Sequence, residues 1–390
     1  MKHLFLFFFA TIALAQTPKF KAQVVDNQIA IGYGMAIGDV DGDKKPDILL
    51  ADQKEIVWYR NGDWKRFVMA ANLTKQDNVC IAARDLDSDG MVEVAVGAQW
   101  NPAETNDSTK SGAVFYLIRP KDPTQRWEPV AILPHEVTTH RMKWVKIAAD
   151  RYQLIVVPLH GQGNQNGIGK GVKVWAYTFP KNPKSMWSKE LVDSTMHLTH
   201  NLDFFEVPKQ EQDKQWVEPH VLIGGKEGVK MLKRTNNGWE TIQWLIEDHG
   251  IGELRYGFNE KSMFFATVEP MHGNQLVAYR DFEGFPVKSF KRDTLSSKMS
   301  QGHALVCADF LGKGQSQIAV GWRNPNADKK VGVRLFVPKG TGWQEVVLDD
   351  SVMMACEDLQ AADLNGDGKL DLIASGRATL NLIIYWNQSE

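Results

Sequence analysis

The sequence predicts an all-β protein, a single seven-bladed β-propeller over residues 16–390. Three observations predict it. An acidic, glycine-bearing turn recurs along the chain with apolar, strand-like runs on both sides. The recurrences divide the chain into seven units of roughly 40–55 residues, the period of a propeller blade. The last unit lacks one strand, which an N-terminal run is free to supply.

The turns come in order. Asp39-Val-Asp41-Gly-Asp43-Lys-Lys-Pro-Asp47 follows Gly34-Met-Ala-Ile and precedes Ile48-Leu-Leu. Asp85-Leu-Asp87-Ser-Asp89-Gly-Met-Val-Glu93 follows Ile81-Ala-Ala and precedes Val94-Ala-Val. A worn copy from Asp309 to Gln317 sits between His303-Ala-Leu-Val and Ile318-Ala-Val, and Asp363-Leu-Asn365-Gly-Asp367-Gly-Lys-Leu-Asp371 closes the series. Three further units, built around Trp144-Val-Lys-Ile, His200-Asn-Leu-Asp and Leu254-Arg-Tyr-Gly, keep the strands and lose the acids. Each unit continues into a third strand, such as Ile56-Val-Trp-Tyr or Val333-Arg-Leu-Phe, and a fourth often follows a Trp: Trp64, Trp127, Trp187, Trp239 or Trp343. The seventh unit ends at its third strand, Leu382-Ile-Ile-Tyr. Phe20-Lys-Ala-Gln-Val-Val is expected to add the fourth, closing the ring and removing exposed sheet edges.

Composition agrees with this. The 390 residues are 43% hydrophobic and carry 32 Gly and 13 Trp, as a turn-rich β protein would. A net charge of −2 offers no field to capture nucleic acid or an anionic membrane. Residues 1–15 read as a signal peptide: Lys2, an apolar run from Leu4 to Leu14, and a small-x-small cleavage site ending at Ala15. The expected location is therefore periplasmic or secreted. That apolar run is too short to span a membrane, and no later stretch qualifies. Cys80, Cys307 and Cys356 fall in or beside apolar strands, and three thiols cannot all pair, so buried free thiols are expected.

Alternating oxygen-bearing side chains suit a hard cation such as Ca²⁺. The expected structural Ca²⁺ ligands are Asp39, Asp41, Asp43 and Asp47 in the first turn, Asp85, Asp87, Asp89 and Glu93 in the second, and Asp363, Asn365, Asp367 and Asp371 in the last. Strands rather than helices flank these loops, which excludes an EF-hand.

Propeller topology then collects the histidines. First strands line the central channel. The acidic turns lie on one face, and the entries to first strands and the ends of second strands lie on the other, the far face. His135, His140, His197, His200, His249 and His303 precede or open first strands, and His160 and His272 follow second strands. Eight imidazoles on one face point to a site. Aligning units on the acidic turn puts His200, Glu253 and His303 at one register, a plausible set for Zn²⁺ or another divalent transition metal, with His272 as a further ligand. His140, His160, His197 and Tyr256 are candidate acids or bases. Arg141, Arg255 and Arg323 are candidates to hold a carboxylate or the enolate oxygen, and Arg377 is a further substrate-binding candidate. Trp100 and Trp322 are candidate stacking platforms for a sugar ring, with His135 beside them. His135-Glu-Val-Thr-Thr-His140 has its histidines one residue too far apart for a metalloprotease motif.

The acidic turns and their strands resemble FG-GAP/VCBS-type repeats, which implies the propeller fold. The segments His135-Glu-Val-Thr-Thr-His140-Arg141, His197-Leu-Thr-His200-Asn and Glu269-Pro-Met-His272-Gly-Asn are similar to the propeller part of aldos-2-ulose (1,5-anhydrofructose) dehydratases. That resemblance implies metal-dependent loss of water from a keto-sugar on the far face. Elimination from uronate-containing glycans, as in the propeller-fold ulvan lyases, is the neighbouring alternative. A non-catalytic glycan-binding or adhesion propeller is the other class.

Overall fold

The computed structural model describes residues 18–211, 214–259, 262–284 and 287–389. The expected signal segment, 1–15, lies outside them. The described residues form seven four-stranded antiparallel sheets. The first strands of the blades are Gly34–Gly38, Cys80–Arg84, Thr139–Ala148, Thr199–Glu211, Leu254–Phe258, Gly302–Ala308 and Cys356–Ala362. The seventh blade closes as expected. Phe20–Asp26 lies antiparallel to Asn381–Asn387, with Ala22 opposite Tyr385. No helix among the described residues is long and apolar enough to cross a membrane.

Second strands are continuous apolar runs because a neighbouring blade covers each of their faces. Ile48, Leu49 and Leu50 are all fully buried. The core is the set of layers between blades: Ile48 and Leu50 of blade one pack with Ile373, Leu382 and Ile384 of blade seven. The Trp residues that start fourth strands wedge into these layers. Trp187 packs on Tyr116, Trp144 and Phe179, and its Nε1 donates to the Pro183 carbonyl; Trp127 repeats that bond to Pro123.

The acidic turns have two parts with separate jobs. The first Asp of each folds the loop: Asp39 accepts from the Gly42 and Lys44 amides, Asp85 from Ser88 and Gly90, and Asp363 from Gly366 and Gly368. Gly42, Gly90 and Gly368 take positive φ there, which only glycine adopts freely. The last acid faces inward. Asp47 is fully buried and accepts from the Val40 and Asn61 amides; Asp371, also fully buried, accepts from Leu364 and Asn387. Asp47 and Asp371 thus brace the turn, with each carboxylate oxygen accepting from a backbone amide. In the worn sixth turn Gln317 does the same work with a neutral oxygen, accepting from the Leu311 amide. Glu93 accepts from the Leu86 amide, yet one of its oxygens stays within reach of Asp85 and Asp87. Asp39, Asp41 and Asp43 form a second such group. Asp89 instead pairs with Arg119 at 2.6 Å. In the last turn the Asn365 amide donates to Asp367.

Candidate functional site

One register of the propeller builds the site. Tyr33, Val79, His303 and Glu357 each stand six residues ahead of the first acid of their turns, Asp39, Asp85, Asp309 and Asp363. Strand pairing adds His140, His200 and Glu253, since the residue after each occupies the equivalent ladder position. These seven residues ring the far-face mouth of the channel. In four blades the ladder slips at this residue: between Thr139 and Arg141, Thr199 and Asn201, Gly302 and Ala304, and Cys356 and Asp358. His140, His200, His303 and Glu357 are therefore the extra residues of four β-bulges. A bulge leaves its residue out of the ladder and re-aims the side chain.

Each bulged imidazole is anchored by one nitrogen. Nδ1 of His140 meets the His200 carbonyl at 2.9 Å, that of His200 meets Gly252 at 2.7 Å, and that of His303 meets Glu357 at 2.8 Å. A carbonyl can only accept, so each Nδ1 carries the proton and Nε2 presents a lone pair. His272 arrives from the loop after the second strand of blade five, with φ at 53°, a left-handed value uncommon for a residue with a Cβ. Its Nε2 lies 2.8 Å from Nε2 of His200. The ligand atoms of His200, His272 and His303 all lie within 4.8 Å of one another. The donor set suits a divalent transition metal: three neutral imidazoles, two of them fixed through the other ring nitrogen.

A cavity of about 320 Å³ surrounds the cluster, lined by His140, His160, His200, His272, His303, Arg141, Arg323, Arg377, Trp100, Tyr33 and Glu357, with Asn166 and Leu198 from loops. Trp100 stacks on His140 with centroids 5.0 Å apart. Arg323 grips Glu357: Nη2 donates to Oε1 at 2.7 Å and Nε lies 2.6 Å from Oε2. Arg377 adds a bond at 3.3 Å and remains 40% exposed. Burial holds His140, His200 and His303 well below the usual histidine range, reinforced by nearby cations and by one another. His272 is pushed down to about 4 by burial and then by Arg323, Arg141 and Arg377. These imidazoles are neutral at physiological pH, the form that binds metals.

Other expected residues lie elsewhere. Glu253 is buried beside His200 rather than among the three converging imidazoles. Arg255 and Tyr256 lie two and three residues further along the strand, each step about 3.3 Å. Both line pockets towards the acidic-turn end of the channel, and Arg255 bonds Asn201. Trp322 is buried inside blade six, its Nε1 donating to the Lys330 carbonyl, because side chains alternate and its neighbour Arg323 takes the cavity side. His197 pairs with Glu227 at 2.9 Å outside the cavity, and His135 meets the Glu136 carbonyl. Glu357 and Tyr33 were not anticipated, although the six-residue offset that finds His303 also finds them.

Comparisons agree at the level of fold. Residues 39–96 match the FG-GAP-like repeat. No curated protein matches the chain. Among solved structures, BBS1N in complex with ARL6DN, soaked with lead, is 14% identical with a TM-score of 0.54, covering 95% of this chain and 97% of that one. The same complex soaked with mercury gives 14% and 0.53, covering 94% and 95%. The protein is a seven-bladed β-propeller carrying an FG-GAP-like repeat.

Proposed function

We propose that the protein is a carbon–oxygen lyase that removes water, or a glycosidic oxygen, from a keto-sugar bound in the far-face cavity. The convergence of His200, His272 and His303 beside Arg141, Arg323 and Trp100 carries this reading. Those three imidazoles would hold Zn²⁺ or another divalent transition metal, which when bound supplies Lewis-acid polarisation of a carbonyl oxygen. The remaining steps belong to side chains. His160 lines the cavity and burial lowers its pKa, favouring the neutral imidazole, so it is the candidate base. It takes the proton α to the carbonyl. The C–H electron pair forms the new double bond, the β C–O bond breaks, and the same imidazolium returns the proton to the leaving oxygen. Arg141, whose Nη1 lies 3.3 Å from Nε2 of His140, faces the negative charge that develops on the carbonyl oxygen. Trp100 offers a flat wall to the sugar. Ca²⁺ at the first, second and last acidic turns would be structural.

Arg377 favours a second reading, elimination on a uronate-containing glycan, because it spends one nitrogen on Glu357 and keeps others for a carboxylate. Metal-replete protein, incubated with keto-sugars and with uronate glycans, separates the two by which gives a new ultraviolet-absorbing product. His160→Ala is expected to lower kcat on the active substrate by about 10²–10⁴-fold. Binding of sugar with no elimination from any of them would mean a non-catalytic glycan-binding propeller.

A further inference from the structure

Glu253 is the ring residue whose carboxylate sits beside His200, the central anchored imidazole, and its surroundings are unusual. It is 2% exposed. Oε2 accepts from the Asn201 amide and lies 3.8 Å from Arg255 Nη2. Oε1 is buried with no hydrogen bond at all. Its nearest polar neighbours are His200 Nδ1 at 3.6 Å and Arg141 Nη2 at 3.9 Å. A buried carboxylate oxygen left unpaired is costly, so a group that stays in this state needs a reason.

The neighbouring blades supply one. In blades three, four and six each imidazole rests its Nδ1 on a carbonyl of the following blade. For His200 that carbonyl belongs to Gly252, so the adjacent residue brings a charged oxygen to the same nitrogen. His200 is also the central imidazole, 4.6 Å from the rings of both His140 and His272 and 5.5 Å from His303. A cation on Nε2 draws electron density through the ring and makes the Nδ1 proton a stronger donor. A carboxylate behind that proton raises the basicity of the ligand and fixes its ring.

We propose that Glu253 is a positioning residue, the anionic backstop of His200, whose free oxygen takes a share of the Nδ1 proton once a divalent cation sits on Nε2, and which holds Arg141 at the cavity through its other short contact. This rests on the metal-centred reading above and assigns Glu253 a place behind the ligands, not among them. Its effect on Arg141 is electrostatic, so it does not require Glu253 to touch substrate.

The test is metal affinity, measured on the full-length protein by competition with a chromophoric chelator, using Zn²⁺ and Mn²⁺ separately. Glu253→Gln keeps the shape and the Asn201 neighbour while removing the charge. It is expected to weaken transition-metal binding about 10–100-fold, with Ca²⁺ content and thermal midpoint within error of wild type. Glu253→Asp is expected to recover part of the loss. Equal affinity in wild type and Glu253→Gln would overturn the proposal while leaving the metal site standing. A wild type that binds neither metal would overturn the metal-centred reading and this role with it. If Glu253→Gln fails to fold, Asn201→Ala provides the second measurement: it frees Oε2 and removes no charge, so the backstop predicts affinity within about threefold of wild type, and a larger loss contradicts it.

Discussion

His200 shows how much of this site one residue carries. It is an extra residue in its strand, its Nδ1 is spent on Gly252, and its Nε2 faces His272. The Nδ1 proton serves Gly252, which leaves a lone pair on Nε2, and burial favours that neutral ring. The thiols show the opposite use of burial. Cys80 is pushed up to about 12 by desolvation, with Arg141 opposing, and Cys307 and Cys356 are raised further. A thiol is reactive only as thiolate. Cys80 and Cys356 are buried, whereas Cys307 is half-buried and lines a channel pocket, which corrects the expectation that all three thiols are buried. Native protein at pH 8 is therefore expected to leave Cys80 and Cys356 unmodified by a thiol-specific chromogenic disulfide over an hour, and denatured protein to react at all three thiols. Rapid modification of Cys80 or Cys356 in the native state would contradict their burial.

At the scale of elements, two devices organise the blades. The bulge lifts a side chain out of the ladder towards the channel mouth, and four blades use it at one register. In the first and last turns the inward acid, Asp47 or Asp371, ties the turn to the end of the third strand. Asp371→Ala would strand the Leu364 and Asn387 amides, both buried by the fold, at about 1–3 kcal/mol each. The expected loss is about 3 kcal/mol in urea unfolding, unchanged by a Ca²⁺ chelator because the role is structural. Asp371→Asn should lose less, since Gln317 already does this work with an amide oxygen. A loss that appears only when Ca²⁺ is present would give Asp371 its main role in the cation shell.

At the scale of the whole molecule, the propeller was legible because the repeat is written in the chain. Turn acids, strand triplets and a spare N-terminal strand fix blade count and closure without any tertiary information. The site was legible by register and lost by direction. His200 and His303 are legible because the acidic turn sets the register, and Glu357 shares that register without an imidazole to mark it. Arg255, Tyr256 and Trp322 were misplaced for different reasons. The first two lie further down the channel by a few strand steps, and the third points into its own blade by alternation. The bulges, which turn four side chains towards the mouth, leave no mark in residue type. The likeness to BBS1N at 14% identity extends to the fold and no further.

The central claim is that three imidazoles from blades four, five and six hold a transition metal. Elemental analysis of the purified protein tests it, on wild type and on a His200→Ala/His303→Ala double variant. The account predicts one equivalent of Zn²⁺ or a similar metal in wild type, lost in the double variant, with Ca²⁺ the same in both. Ca²⁺ alone in both proteins, with no transition metal retained after Zn²⁺ is added and removed by gel filtration, would contradict it.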